Sequence, residues 1–341
     1  MTVMYNISMK LASPRLLIPL LIILNIILIT VYLTPSLILN NPSVILSEAK
    51  NLFTNPRNDK YFPEIEYLKD KNYGFSELKQ YFTDLATQKG AEYAYEVLKV
   101  AQIPPNTDMH LMGHVVGDVL YKQQGINGIK VCTEDFRNAC SHSIVVGLLL
   151  DKGEDILPDI ASACRQAPGG TGAYTMCYHG LGHGVLAYTN YDLPKAVELC
   201  QKTGQAEGIQ CIGGTIMEII SGGDHDRALW TKERPKYLKA DDPFYPCTAS
   251  FMPEKAKNMC LTYLTPYLWE AVGANIGSPG TEDFKKAFAL CPNIDSRHQN
   301  TCYGGFGKEF VVLAQNRDIR KIDQMSDEQL LQVYSWCTLA K

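Results

Sequence analysis

No arginine-rich or aromatic-interleaved basic stripe occurs in this 341-residue sequence, and its formal net charge is -4. A nucleic-acid partner is excluded on that ground, because phosphate backbones are held by clustered cations. The phosphate-cradling pattern G-x-x-x-x-G-K-[ST] and the nucleophile elbow G-x-S-x-G are both absent, which removes a P-loop nucleotide site and the usual serine-hydrolase layout. There is no C-x-x-C, so zinc knuckles and thioredoxin-type redox pairs lack ligands, and without C-x-x-C-H there is no covalent haem. H-E-x-x-H is missing as well.

Charge is also missing from Leu16 to Leu33, an apolar run interrupted mainly by Pro19, Asn25 and Thr30 and resumed at Leu37-Ile38-Leu39. That length fits a membrane span, and no A-x-A cleavage pattern follows it, so a retained signal-anchor is expected over 16–39 rather than a cleaved leader. Lys10 and Arg15 precede the run, and Lys50 is the next basic residue. The positive-inside rule then leaves residues 1–15 in the cytoplasm and everything after the span outside. Residues 40–74, rich in Asn, Pro and charge, read as a stalk, and 75–341 as an extracytoplasmic domain.

The cysteines agree with that orientation. All eleven lie between Cys132 and Cys337, and ten form consecutive pairs: Cys132 with Cys140, Cys164 with Cys177, Cys200 with Cys211, Cys247 with Cys260, and Cys291 with Cys302. Local disulfides of this size each contribute roughly 2–4 kcal/mol and need an oxidising compartment. The same rhythm exposes a repeat. ILPDIASAC, DLPKAVELC, DFKKAFALC and QLLQVYSWC each place apolar residues seven, four and three places before the cysteine, one face of a short helix A. Asp155, Asp192 and Asp283 stand where an N-cap would. After the second cysteine comes helix B, with a small residue three places on at Ser143, Gly180, Gly214 and Gly305, preceded by Gly113 in a unit led by His110, and with only Tyr263 large. A repeated glycine inside a helix predicts close approach of another backbone.

Units of helix A, disulfide loop and helix B bury their apolar faces only by stacking. The fold expected is therefore all-α, built of two-helix repeats in an α-solenoid or a closed α/α toroid. Tyr93 to Val100 fits an earlier helix A without its cysteine, Phe75 to Thr87 a capping helix, and Gly222 to Pro246 a surface insertion. Cys337 ends a helix of type A with only Thr338 to Lys341 behind it. Truncation inside a repeat is expected there, the alternatives being a bond to another chain or a free thiol.

Five of the seven histidines fall in the B helices: His110, His114, His142, His179 and His183. His110/His114 and His179/His183 are i, i+4 pairs, the spacing that presents two imidazoles on one helix face to one metal ion. Placed in first turns, they would be held neutral by the positive helix terminus. The expected ligand is a transition metal, zinc, copper or iron, with Asp118, Glu218 and Glu309 as acidic partners or bases. A histidine at a helix start can equally hydrogen-bond a loop carbonyl, and carboxylates there can be solvated or serve as caps.

The strings CYHGLGHG, from Cys177, and CYGGFG, from Cys302, resemble inner-helix motifs of lanthionine-cyclase-like α/α toroids. The resemblance implies an inner ring of helices bearing metal ligands; it departs in repeat length, in the paired cysteines and in the anchor. Three functions follow from the residues: a metal-binding or metal-delivery protein, a metal-free scaffold presenting the concave surface of stacked repeats to a protein partner, and a metal-dependent hydrolase.

Overall fold

The computed structural model describes residues 62–105, 107–222, 226–321 and 324–340. The expected cytoplasmic segment, anchor and most of the stalk lie outside the described residues. Among those described, no helix is long and apolar enough to cross a membrane, and there are fourteen α-helices and no strand. They are α1 (Pro63–Lys69), α2 (Phe75–Lys89), α3 (Ala91–Val100), α4 (Met109–Gln124), α5 (Ala139–Lys152), α6 (Leu157–Cys164) and α7 (Gly170–Tyr188). The second half contains α8 (Leu193–Gln201), α9 (Gln205–Ser221), α10 (Arg227–Glu233), α11 (Lys257–Ala271), α12 (Thr281–Phe288), α13 (Ser296–Ala314) and α14 (Asp327–Cys337).

The long helices α4, α5, α7, α9, α11 and α13 form an inner row, each packed against the next in chain order. Their sequences explain the burial. Every residue of α5 from Ala139 to Val146 is buried, and a helix apolar on all sides can satisfy itself only inside a core. Glycine sets the closest approach: a Cβ on Gly214 would lie 1.9 Å from the His179 carbonyl oxygen, and one on Gly182 2.0 Å from that of Cys211. Helices α7 and α9 therefore cross backbone to backbone, as the recurring glycine predicts. The shorter α3, α8 and α12 lean on this row from outside.

All five expected disulfides are present, with Cα separations between 5.3 and 5.7 Å, and Cys337 is unpaired and exposed. Three details differ from the sequence reading. Helices α7, α9 and α13 begin at Gly170, Gln205 and Ser296, well ahead of Cys177, Cys211 and Cys302. A disulfide requires only a short Cα separation, which a mid-helix contact supplies as well as a loop does. Asp192 is an N-cap, accepting from the Lys195 amide, but Asp283 reaches back to the Gly280 amide and Asp155 lies in a 3-10 turn. The stretch 222–246 keeps most of its described residues at the surface, as a surface insertion would, but it carries α10 and is anchored to the domain rather than being a simple loop. Its Tyr237, Leu238 and Phe244 are buried, the Trp230 indole donates to Glu218 O, and Arg234 grips Glu270 with two hydrogen bonds.

The two ends of the inner row meet. Ile319–Lys321, just beyond α13, packs on Asp135–Asn138 and on α4. The buried Arg320 guanidinium donates to the carbonyls of Leu98 and Ala101 at the end of α3, where a cation complements unpaired helix carbonyls.

Candidate metal centre

Three inner helices bring five imidazoles into one buried cluster. On α4, the His110 and His114 rings stand 4.8 Å apart, and on α7 those of His179 and His183 stand 5.2 Å apart. His142 of α5 lies between the pairs, 5.5 and 5.7 Å from the first and 5.6 Å from each ring of the second. Its seat depends on Gly180, where a Cβ would come within 2.3 Å of the His142 ring. One ring nitrogen from each of His110, His114 and His142 lies within 4.8 Å of the others. This three-histidine group could hold a metal ion.

The outer hydrogen bonds fix which nitrogens point inward. His110 Nδ1 is 2.7 Å from the carbonyl oxygen of Phe136, which can only accept, so the proton is on Nδ1. His114 Nδ1 is 3.1 Å from Ser143 Oγ, whose own proton is donated to His114 O at 3.2 Å. Ser143 must then accept from Nδ1. The two Nε2 atoms then face each other at 3.3 Å. That contact is a hydrogen bond when one of the rings carries a proton on Nε2, and the same spacing suits two nitrogens on one cation. In a tetrahedral site with metal–nitrogen bonds near 2.0–2.1 Å, two ligand nitrogens stand about 3.3–3.4 Å apart.

Burial favours the neutral form of three of the rings. His110, His142 and His179 are pushed well below the ordinary histidine value, first by loss of solvent and then by neighbouring imidazoles, with Arg137 adding to the effect on His110 and His179. The helix-terminus argument does not apply to His179 and His183, which lie deep within α7. Both nitrogens of His142, both of His179 and Nε2 of His183 are buried without a hydrogen-bond partner among the described residues.

The carboxylates separate. Glu218 is buried on α9 and its Oε2 lies 3.0 Å from His183 Nδ1. Asp118 is exposed and lines a cavity of about 90 Å³ that also reaches His110, His114, His183 and Glu218. Glu309 is paired with Lys308 in a second cavity and does not join the cluster. Of the remaining histidines, His298 binds Asn258 Oδ1 at 2.7 Å, away from the cluster, and His225 lies outside the described residues.

Sequence reasoning missed the groups that aim the rings. Ser143 carries a signal, a hydroxyl in a column otherwise mostly glycine. Phe136, Arg137 and Asn138 carry none, yet all three adopt left-handed backbone, with φ of 56°, 53° and 62°. No protein-family model, curated protein or solved structure matches the chain, so the resemblance to lanthionine-cyclase-like toroids gains no support.

Proposed function

We propose that this is a membrane-anchored, extracytoplasmic protein that binds one transition-metal ion through Nε2 of His110, Nε2 of His114 and a ring nitrogen of His142, within a closed α/α ring of two-helix repeats. The observation that carries it is the three-histidine group whose ring nitrogens lie within 4.8 Å of one another, with Nε2 of His110 and of His114 3.3 Å apart and each of those two rings oriented by a hydrogen bond on its far side. Outer partners of this kind are what metal-ligating histidines have. An all-imidazole set suits zinc, copper or iron rather than calcium or magnesium. A metal-free scaffold would leave the buried nitrogens of His142 unsatisfied, at roughly 1–3 kcal/mol for each lost partner.

Three protein ligands leave a coordination position open, the arrangement of catalytic rather than structural zinc. The cavity reaching His110, His114 and the His183–Glu218 pair favours a second reading, a metal-dependent hydrolase. There the metal would supply a Lewis acid, and Glu218 would hold His183 in orientation to accept or donate a proton at Nε2.

Elemental mass spectrometry on the full chain in mild detergent, beside a His110→Ala/His114→Ala variant, tests the proposal. Near-stoichiometric metal in the wild type and none in a folded variant is expected. Absence of metal after reconstitution with zinc, copper(II) and iron(II) would overturn it.

A further inference from the structure

We propose that the cavity on the other side of His110 binds a small anion, a molecule whose carboxylate or phosphate is held by Arg137 and Lys308. This deepens the metal reading by naming what sits next to the ion, but the site stands on its own residues. The cavity measures about 140 Å³ and is walled by Met217, Ile220, Tyr263 and Trp269. A cavity of ~150 Å³ holds a benzene ring, so a small acid or phosphate fits and a nucleotide does not.

Its charges are unbalanced. Arg137, Lys308 and Arg317 face Asp108 and Glu309. Asp108 caps α4, accepting from the amides of His110 and Leu111. Glu309 is paired with Lys308, and Arg317 donates to the carbonyls of Ile276 and Gly277. Arg137 is left: it makes no hydrogen bond or ion pair among the described residues, although its charge acts on His110, His179, Tyr263, Lys308 and Glu309. An arginine drawn half out of water with no acceptor among the described residues is anomalous, since its five N–H groups lose solvent without a partner there.

The backbone points the same way. Arg137 is the middle residue of the left-handed turn at 136–138, a conformation disfavoured by roughly 1–2 kcal/mol per residue for side chains of this kind. Strain of this sort persists where the surrounding structure imposes it, and it gathers at binding sites. Here the turn does two things: it aims the Phe136 carbonyl at His110 and carries the guanidinium toward Lys308. Lys308 Nζ lies 4.9 Å over the Tyr263 ring, and Tyr263 stacks on His179 at 4.4 Å. A planar guanidinium grips a carboxylate or phosphate with two parallel hydrogen bonds, and the ammonium adds a point charge. His110 lines both cavities, so the bound anion would lie beside the metal ligand.

The test is calorimetric titration of the full chain in detergent with inorganic phosphate and, separately, with acetate, before and after reconstitution with zinc. Saturable binding of at least one anion in the chelator-treated protein is expected, weakened roughly 10- to 100-fold in Arg137→Gln and in Lys308→Gln. Two variants are used because Arg137 sits on strained backbone. Saturable binding lost in either folded variant supports the inference even if no metal binds. Absence of saturable binding of both anions, or equal binding in both variants, overturns it and leaves the metal reading intact.

Discussion

Replacing Ser143 by alanine removes one oxygen and tests whether the hydroxyl positions a ligand. In the native protein Ser143 Oγ accepts from His114 Nδ1 at 3.1 Å and donates to His114 O at 3.2 Å. Its loss frees the imidazole to rotate and lets the proton move to Nε2, the nitrogen needed for the metal. Removing an outer partner of this kind lowers metal affinity about 10- to 100-fold, equivalent to roughly 1.4–2.7 kcal/mol. The buried site would also lose about 1–3 kcal/mol of stability in the metal-free protein, since a donor is left without its acceptor. Competition with a chromogenic chelator measures the first quantity and urea denaturation of the metal-free chain the second. Ser143→Gly serves as the control, because glycine occupies the equivalent place at Gly113, Gly180, Gly214 and Gly305. Both variants lack the hydroxyl, so equal losses of affinity are expected. Native affinity in both would refute the assignment of Nε2 as the ligand, and a loss confined to alanine would assign the effect to packing.

Gly180→Ala should push a methyl group into the space of His142, 2.3 Å from its ring and 2.7 Å from its Cα. The expected result is a destabilisation of roughly 1–3 kcal/mol by denaturant titration, together with weaker metal binding; a variant that binds metal normally would show that His142 is not a ligand. Away from the site, burial pushes the Glu64 carboxyl up, but hydrogen bonds from Lys89 and Tyr93 outweigh it and hold the group below its ordinary value. A depressed carboxyl stabilises the fold above its unfolded value near 4.5 and loses that contribution as pH falls. Glu64→Gln should therefore lower the urea midpoint at neutral pH and converge with the wild type as pH falls through the lowered folded value, whereas parallel pH profiles would contradict the sign.

What was legible in the sequence is what is local. Cysteine pairs, helix A and the glycines of helix B are written in spacings of a few residues, and the disulfides and the Gly182–Gly214 crossing follow from them. The i, i+4 histidine pairs were legible for the same reason. The geometry that selects His110, His114 and His142 was not, because it depends on how α4 and α5 are rotated about their axes. Closure of the row depends on Arg320 reaching carbonyls 219 and 222 residues away in the chain, and no local pattern encodes such a contact. Glu218 and Glu309 looked equivalent on paper. Only the packing of α9 against α7, and of α13 against α11, sends one to His183 and the other to Lys308.

The left-handed turn links the stapled fold to the site. Neither Phe136 nor Arg137 favours that backbone, and the three-residue turn would not persist in an isolated peptide. It is enclosed by the Cys132–Cys140 disulfide, whose ends are only eight residues apart. It is also pinned by the fully buried Phe136 ring, which packs edge-on against Tyr95 at 5.5 Å and closes over Gly113. Ring and disulfide together offset strain that the turn could not sustain alone. The Phe136 carbonyl then faces His110 Nδ1 and leaves Nε2 as the inward lone pair. The first disulfide is therefore part of the apparatus that sets a tautomer, and reducing it should release the metal ligand before it unfolds the inner helices. The other four pairs hold an outer segment to an inner helix without touching a histidine side chain's hydrogen-bond partner. Their role is to keep α7, α9, α11 and α13 in register with the outer segments beside them.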